Sequence, residues 1–150
     1  MRERLLNFLR KCQVVTLAVV EPEGTAHAAA LFYAVDDELN LYVPTDPASR
    51  HGRAMARTGL VVGTIQRDRQ EWREIQGVQF RERCECLTGV ARERGWDVFA
   101  ARFPFVRNPA AAGLALALGK TALWQVEPAW MRLIDNQRGF GHKEEWTREP

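Results

Sequence analysis

Leu5, Phe8, Leu9 and Cys12 recur at helical spacing among charged residues, which predicts a short amphipathic opening helix. Val14–Val20 is a continuous apolar, β-branched run and predicts a buried strand. Glu21-Pro22-Glu23-Gly24 has turn chemistry, and apolar character resumes over His27–Val35, so residues 14–35 predict a β-hairpin. Asp36-Asp37-Glu38 is a second polar turn, followed by a third strand over Leu39–Val43. Asp46 before Pro47 predicts a helix start, with the carboxylate as cap and proline in the first turn. That helix would turn Ala54 and Met55 inward and Arg50, Arg53 and Arg57 outward, ending by Gly59.

Leu60–Gln66 again has strand character. Residues 75–90 can hold one long strand, with Val78, Phe80, Cys84 and Cys86 sharing a face at even spacing. Trp96, Phe99, Ala100 and Phe103 mark a helix over 92–103, which Pro104 ends. Residues 107–120 are small and apolar and support no assignment; Ala122–Val126 and Met131–Ile134 predict a closing pair of strands around Pro128. Six or seven short strands with few helices between them predict a mainly β (α+β) fold, an antiparallel barrel rather than a parallel sheet. The 150 residues suit one domain and contain no internal repeat or linker.

Composition narrows the class. Apolar residues at 46% and charged residues at 27% describe an ordinary globular chain, so disorder is excluded. No apolar window is long enough to cross a membrane, and the charged start is unlike a signal peptide. Three cysteines, an odd number, fit a reducing cytoplasmic setting. A net charge of +2 supplies no field for nucleic acid or an anionic membrane, although 18 arginines stand against 3 lysines.

Two motifs are set aside. Gly113 to Gly119-Lys120-Thr121 has five residues between its glycines where a phosphate-binding P-loop needs four, and no strand leads into it. Cys84-x-Cys86 lacks the convergent partners of a metal site, so no metal is expected. The informative segment is Thr45 to Arg53. It puts the hydroxyl of Ser49, the guanidinium of Arg50 and the imidazole of His51 in the first turn of a helix that directly follows a strand. Free N–H groups and the dipole favour an anion there, and arginine can grip a phosphate with two bonds. Gly52 costs the helix about 1 kcal/mol relative to alanine, which suits a position where something approaches closely.

The order of these parts resembles the pyridoxamine 5′-phosphate oxidase-like superfamily of FMN-binding split β-barrels, from about residue 10 to residue 136. The resemblance rests on the hairpin, on His27-Ala28-Ala29-Ala30-Leu31-Phe32, on Thr45 ahead of Ser49-Arg50-His51, and on Leu123-Trp124-Gln125 followed by Arg132-Leu133-Ile134-Asp135. It implies a split antiparallel Greek-key barrel of six to seven strands and a homodimer with FMN at the interface. His27 through Phe32 would border the flavin and ribityl chain, Thr45 would bond the flavin, and Ser49, Arg50 and His51 would hold its phosphate. Trp124 would reach the flavin from the partner subunit, and Gln79 would complete the pocket.

In the family's own oxidases the last strand supplies an arginine and a histidine to the substrate. Arg132 matches the first, but Ile134 stands in the histidine's place, so vitamin B6 oxidation is not expected. Asn136 lies near the position of a further flavin-contacting arginine. The tail, with Gly139-Phe140-Gly141-His142-Lys143, resembles a small branch of the superfamily, and its turn could fold Phe140 and Trp146 over a ligand or merely cover the barrel end. The resemblance implies an oxidoreductase passing electrons or hydride between NAD(P)H and a small molecule. A non-catalytic flavin- or haem-binding sensor or carrier, and a deazaflavin-dependent reductase, are the alternatives.

Overall fold

A computed structural model describes residues 1–108, 110 and 112–150, with the side chains of 112, 115 and 116 outside that description. The chain runs through helix α1 (Arg2–Lys11), strands β1 (Val14–Val20), β2 (Ala26–Phe32), β3 (Ala34–Val35) and β4 (Leu41–Thr45), and helix α2 (Arg50–Thr58). Then follow β5 (Leu60–Gln66), β6 (Gln76–Cys86), α3 (Gly89–Arg102), α4 (Ala112–Gly119), β7 (Ala122–Asp135) and β8 (Lys143–Thr147). All strand pairs are antiparallel, in the order β2-β1-β5-β6-β7-β4-β3, with β8 also pairing β7. The sheet curls around one core in which Leu5, Leu9, Val15, Leu17, Leu41, Met55, Ile65, Val78, Phe80 and Met131 are all but fully buried. β2, at one end of the path, and β4, next to the short β3 at the other end, come near each other but form no ladder. This is the split of a split barrel.

Several boundaries differ from the sequence reading, each for a local reason. The second expected strand breaks at Tyr33, which turns inward and donates from its hydroxyl to the carbonyl of Leu9 at 2.6 Å. The third begins at Leu41 rather than Leu39. The Asp36 carboxylate accepts from the N–H groups of Glu38 and Asn40 (3.0 and 2.8 Å), and Leu39 takes a left-handed φ of 67° to complete that turn. The long strand ends at Cys86, which is exposed, while Cys84 packs in the core. The helix expected over 92–103 starts at Gly89, and the glycine pair set aside as a P-loop lies in α4.

The expected pair of closing strands is one 14-residue strand, β7. Proline lacks the N–H a ladder needs. Here Pro128 stands where the β6–β7 register slips between Arg81 and Glu82, so the bulge absorbs it without ending the strand. One flank of β7 pairs β6 over 124–135, and the other pairs β4 over 122–126 and β8 over 130–134. The tail strand β8 was not anticipated; Glu144 anchors it through Arg4 of α1, Arg138 and His142.

Gly63 fixes how closely β5 and β6 interlock. A Cβ there would meet the Phe80 ring at 2.3 Å, inside the buried core. Gly63→Ala should therefore destabilise the fold by about 1–3 kcal/mol, the usual range for overpacking. Urea unfolding of the variant beside the wild type measures this, and an unchanged midpoint would contradict the packing described.

Candidate functional site

At the mouth of the split, the ends of β1 and β4, the start of β2 and the first turn of α2 bring together Glu21, His27, Thr45, Ser49, Arg50 and His51. The helix starts later than Asp46-Pro47 suggests. Asp46 instead folds the approach: its carboxylate accepts from Ala48 N at 2.8 Å, and its carbonyl accepts from Ser49 N at 3.0 Å and Ser49 Oγ at 2.6 Å. Ser49 is the true N-cap, its Oγ accepting from Gly52 N at 3.1 Å. A Cβ on Gly52 would lie 2.7 Å from the Asp46 carbonyl, so the close approach this glycine permits is that of its own turn. Arg53 N donates to the Ser49 carbonyl, whereas the N–H groups of Arg50 and His51 have no partner among the described residues.

The side chains of this turn are engaged by their neighbours. Arg50 donates from Nε and Nη2 to the two carboxylate oxygens of Glu21 at 2.6 and 2.5 Å. Glu21 is almost completely buried, and the guanidinium beside it holds its carboxyl below the ordinary carboxylate value against the opposing effect of burial. Thr45 Oγ1 shares a hydrogen bond with His51 Nε2, its direction set by the imidazole tautomer. The His51 ring lies parallel to that of His27, 6.0 Å between centroids and 10° between planes. Burial pushes the His51 imidazole below its usual value near 6.5, His27 adds to the shift, and Asp46 opposes it. His51 is thus neutral near pH 7, and the turn's cation is Arg50.

The other expected residues are distributed differently. Along β2, His27, Ala29 and Leu31 are half-buried, while Ala28, Ala30 and Phe32 lie on the exposed outer face. A ligand bordering the whole segment would therefore meet its backbone edge, since no strand among the described residues pairs that side. Gln79 is also on the outer face but three strands away, about 14 Å at ordinary strand spacing. Trp124 is buried in the core at 4% exposure, and its indole N–H has no partner among the described residues. Arg132 is held by Glu145 of β8, its Nε and Nη2 donating to Oε1 at 3.0 and 2.7 Å. Asn136 braces the tail, donating to the Trp72 carbonyl and accepting from Gly141 N.

The tail turn has left-handed glycines at 139 and 141, and Phe140, 83% exposed, sits edge-on to Trp72. Trp146 does not fold over a ligand; it packs against the barrel opposite Met131. Glu21 was missed by the sequence reading. Its partner lies 29 residues away, and a glutamate beside proline in a hairpin turn carries no pattern that predicts the pairing. Among the described residues, no cluster of three or more histidine, cysteine or carboxylate groups could hold a metal, and no helix is long and apolar enough to cross a membrane.

Comparison with known proteins places this geometry in context. The family profile described as pyridoxamine 5′-phosphate oxidase matches residues 1–135. A UPF0306 protein of Enterobacter sp. (strain 638) is 32% identical over 143 residues, covering 95% of this chain and 93% of the relative. Among solved structures, the conserved hypothetical protein Rv2991 of Mycobacterium tuberculosis superposes with a TM-score of 0.77 at 19% identity, covering 92% of this chain and 86% of that one. A heme binding protein of Mycobacterium smegmatis superposes at 0.71 with 18% identity, covering 97% of this chain and 57% of that one. These likenesses at low identity show the fold.

The lowered His51 value makes a prediction about pH. The unfolded chain takes up the proton more readily than the folded one, so this group's contribution is intact above the ordinary histidine value near 6.5 and is lost as pH falls from there through the lower folded-state value. Urea midpoints should fall more steeply between pH 7.5 and 5.5 in the wild type than in His51→Gln. Parallel curves would contradict the neutral, desolvated imidazole.

Proposed function

The chain belongs to the pyridoxamine 5′-phosphate oxidase family, and from that premise we propose that it is an FMN-binding oxidoreductase whose flavin phosphate docks on the first turn of α2. The observation that carries this reading is the pair of unpartnered N–H groups, on Arg50 and His51, at a helix start that also presents a largely exposed guanidinium. Such a terminus attracts an anion through its free donors and its dipole. The residues present fit a phosphate monoester in kind: two backbone donors and the Arg50 fork, on a turn that the Ser49 hydroxyl shapes by donating to the Asp46 carbonyl and accepting from Gly52 N. Neutral His51 would add a hydrogen bond rather than charge.

When bound, the flavin would supply the two-electron chemistry, passing electrons or hydride between a nicotinamide donor and a small molecule. This chain's residues would bind and orient it. Thr45 and His51 would meet the part of the cofactor next to the phosphate, and the free edge of β2 would offer backbone donors and acceptors along its length. Ile134 presents no polar group where the family's oxidases carry a histidine, so the substrate is not assigned as a B6 vitamer. Gln79, exposed but away from this cluster within one chain, would act from the partner of a homodimer, whereas Trp124, buried in the core of its own chain, has no place in this pocket.

The outer face of β2, β1 and β5 supports such a dimer. Val14, Val20, Phe32, Leu60 and Val62 are exposed there beside Ala26, Ala28 and Ala30, a contiguous apolar surface of the kind that partners cover.

Titration of apoprotein with FMN tests the reading, with NADPH then added to the saturated complex. Arg50→Ala should weaken FMN binding at least tenfold. Arg57→Ala, whose guanidinium donates to the Val20 carbonyl at the far end of the helix, should stay within twofold of wild type. Equal losses would defeat the phosphate assignment. The bound flavin should be bleached by NADPH, and a flavin that stays oxidised would favour a carrier or sensor over an enzyme.

A further inference from the structure

We propose that Glu21 is a positioning residue for the phosphate site, holding Arg50 so that its end-on pair of N–H groups faces the ligand; the inference rests on the flavin reading above. A guanidinium carries five N–H donors in a rigid plane. Glu21 takes the side-on pair, Nε and Nη2, leaving the end-on pair shared by Nη1 and the second hydrogen of Nη2. Nη1 has no partner among the described residues. The contact is one-sided: the Glu21 side chain is 8% exposed, that of Arg50 58%. The dry face of the guanidinium is therefore occupied by carboxylate, and the wet face is a second fork of the shape that grips phosphate with two parallel bonds.

Glu21 can act as an anchor because its backbone is fixed at both ends of the hairpin turn. Its N–H donates to the Thr25 carbonyl at 2.9 Å, and its carbonyl accepts from Gly24 N at 2.8 Å. An arginine at the start of a helix otherwise has many rotamers, and the two bonds to Glu21 select one of them. An ion pair whose cation is largely exposed adds little to stability, so a role in stability alone is a weak explanation for burying this carboxylate. Its charge does repel an anion. It stands behind the guanidinium, however, farther from the ligand than the group it orients, so the attraction in front outweighs the repulsion behind.

The test is parallel titration of the wild type, Glu21→Ala, Glu21→Gln, Arg50→Ala and the Glu21→Ala/Arg50→Ala double variant with FMN and with riboflavin, which lacks the phosphate. Glu21→Ala should lose about tenfold in affinity for FMN and stay within twofold for riboflavin. The double variant should bind FMN no more weakly than Arg50→Ala alone. Glu21→Gln, which preserves the side-chain size and tests the same point if the alanine variant misfolds, should lose several-fold for FMN only. Either Glu21 variant binding FMN as tightly as the wild type, or more tightly, would overturn the positioning role and make Glu21 a mere counter-charge. If the wild type binds FMN and riboflavin equally, the phosphate assignment falls and this inference with it. A wild type that binds neither overturns the flavin reading as well.

Discussion

The sheet curls far enough to enclose a core but does not join its ends, and the site follows from that constraint. Because β2 and β4 meet without pairing, β2 keeps a free backbone edge beside the place where β4 delivers the chain into α2. Ala54 and Met55 bury the apolar side of that helix in the main core, which fixes its axis. With the axis fixed, the first turn stands at the mouth of the split beside Glu21 and His27. A closed barrel would have satisfied the β2 edge; a helix packed less firmly would not present its N-terminus in one place.

The electrostatics of the turn are more restrained than a Ser-Arg-His triplet suggests. Glu21 balances Arg50, and burial keeps His51 uncharged near neutral pH. Attraction for an anion therefore comes from directed donors rather than from excess positive charge: the N–H groups of Arg50 and His51, the helix dipole, and the half of the guanidinium that Glu21 leaves free. Directed donors discriminate by geometry. They favour a tetrahedral, terminal group that can reach several of them at once over a diffuse negative surface.

Much of this was legible along the chain because its signals are local. Residues 14–35 announce a hairpin through a β-branched run, a proline-glycine turn and a second apolar run, and α2 shows its buried face through Ala54 and Met55. Boundaries were lost where side chains overrode pattern. Asp46 looked like a cap and instead folds the turn that lets Ser49 cap, while Pro128 looked like a break and falls on a bulge. The ion pair of Glu21 with Arg50, the stacking of His27 on His51 and the docking of β8 on β7 depend on contacts between distant parts of the chain, which periodicity does not record.

An FMN site in this chain requires that the first turn of α2 receive an anion. A crystal structure of the protein grown with excess FMN tests this directly. The phosphate should lie within hydrogen-bonding distance of the N–H groups of Arg50 and His51 and of Arg50 Nη1, with the Glu21 contact to Arg50 retained. A flavin bound with its phosphate elsewhere, or only solvent around that turn, would contradict it.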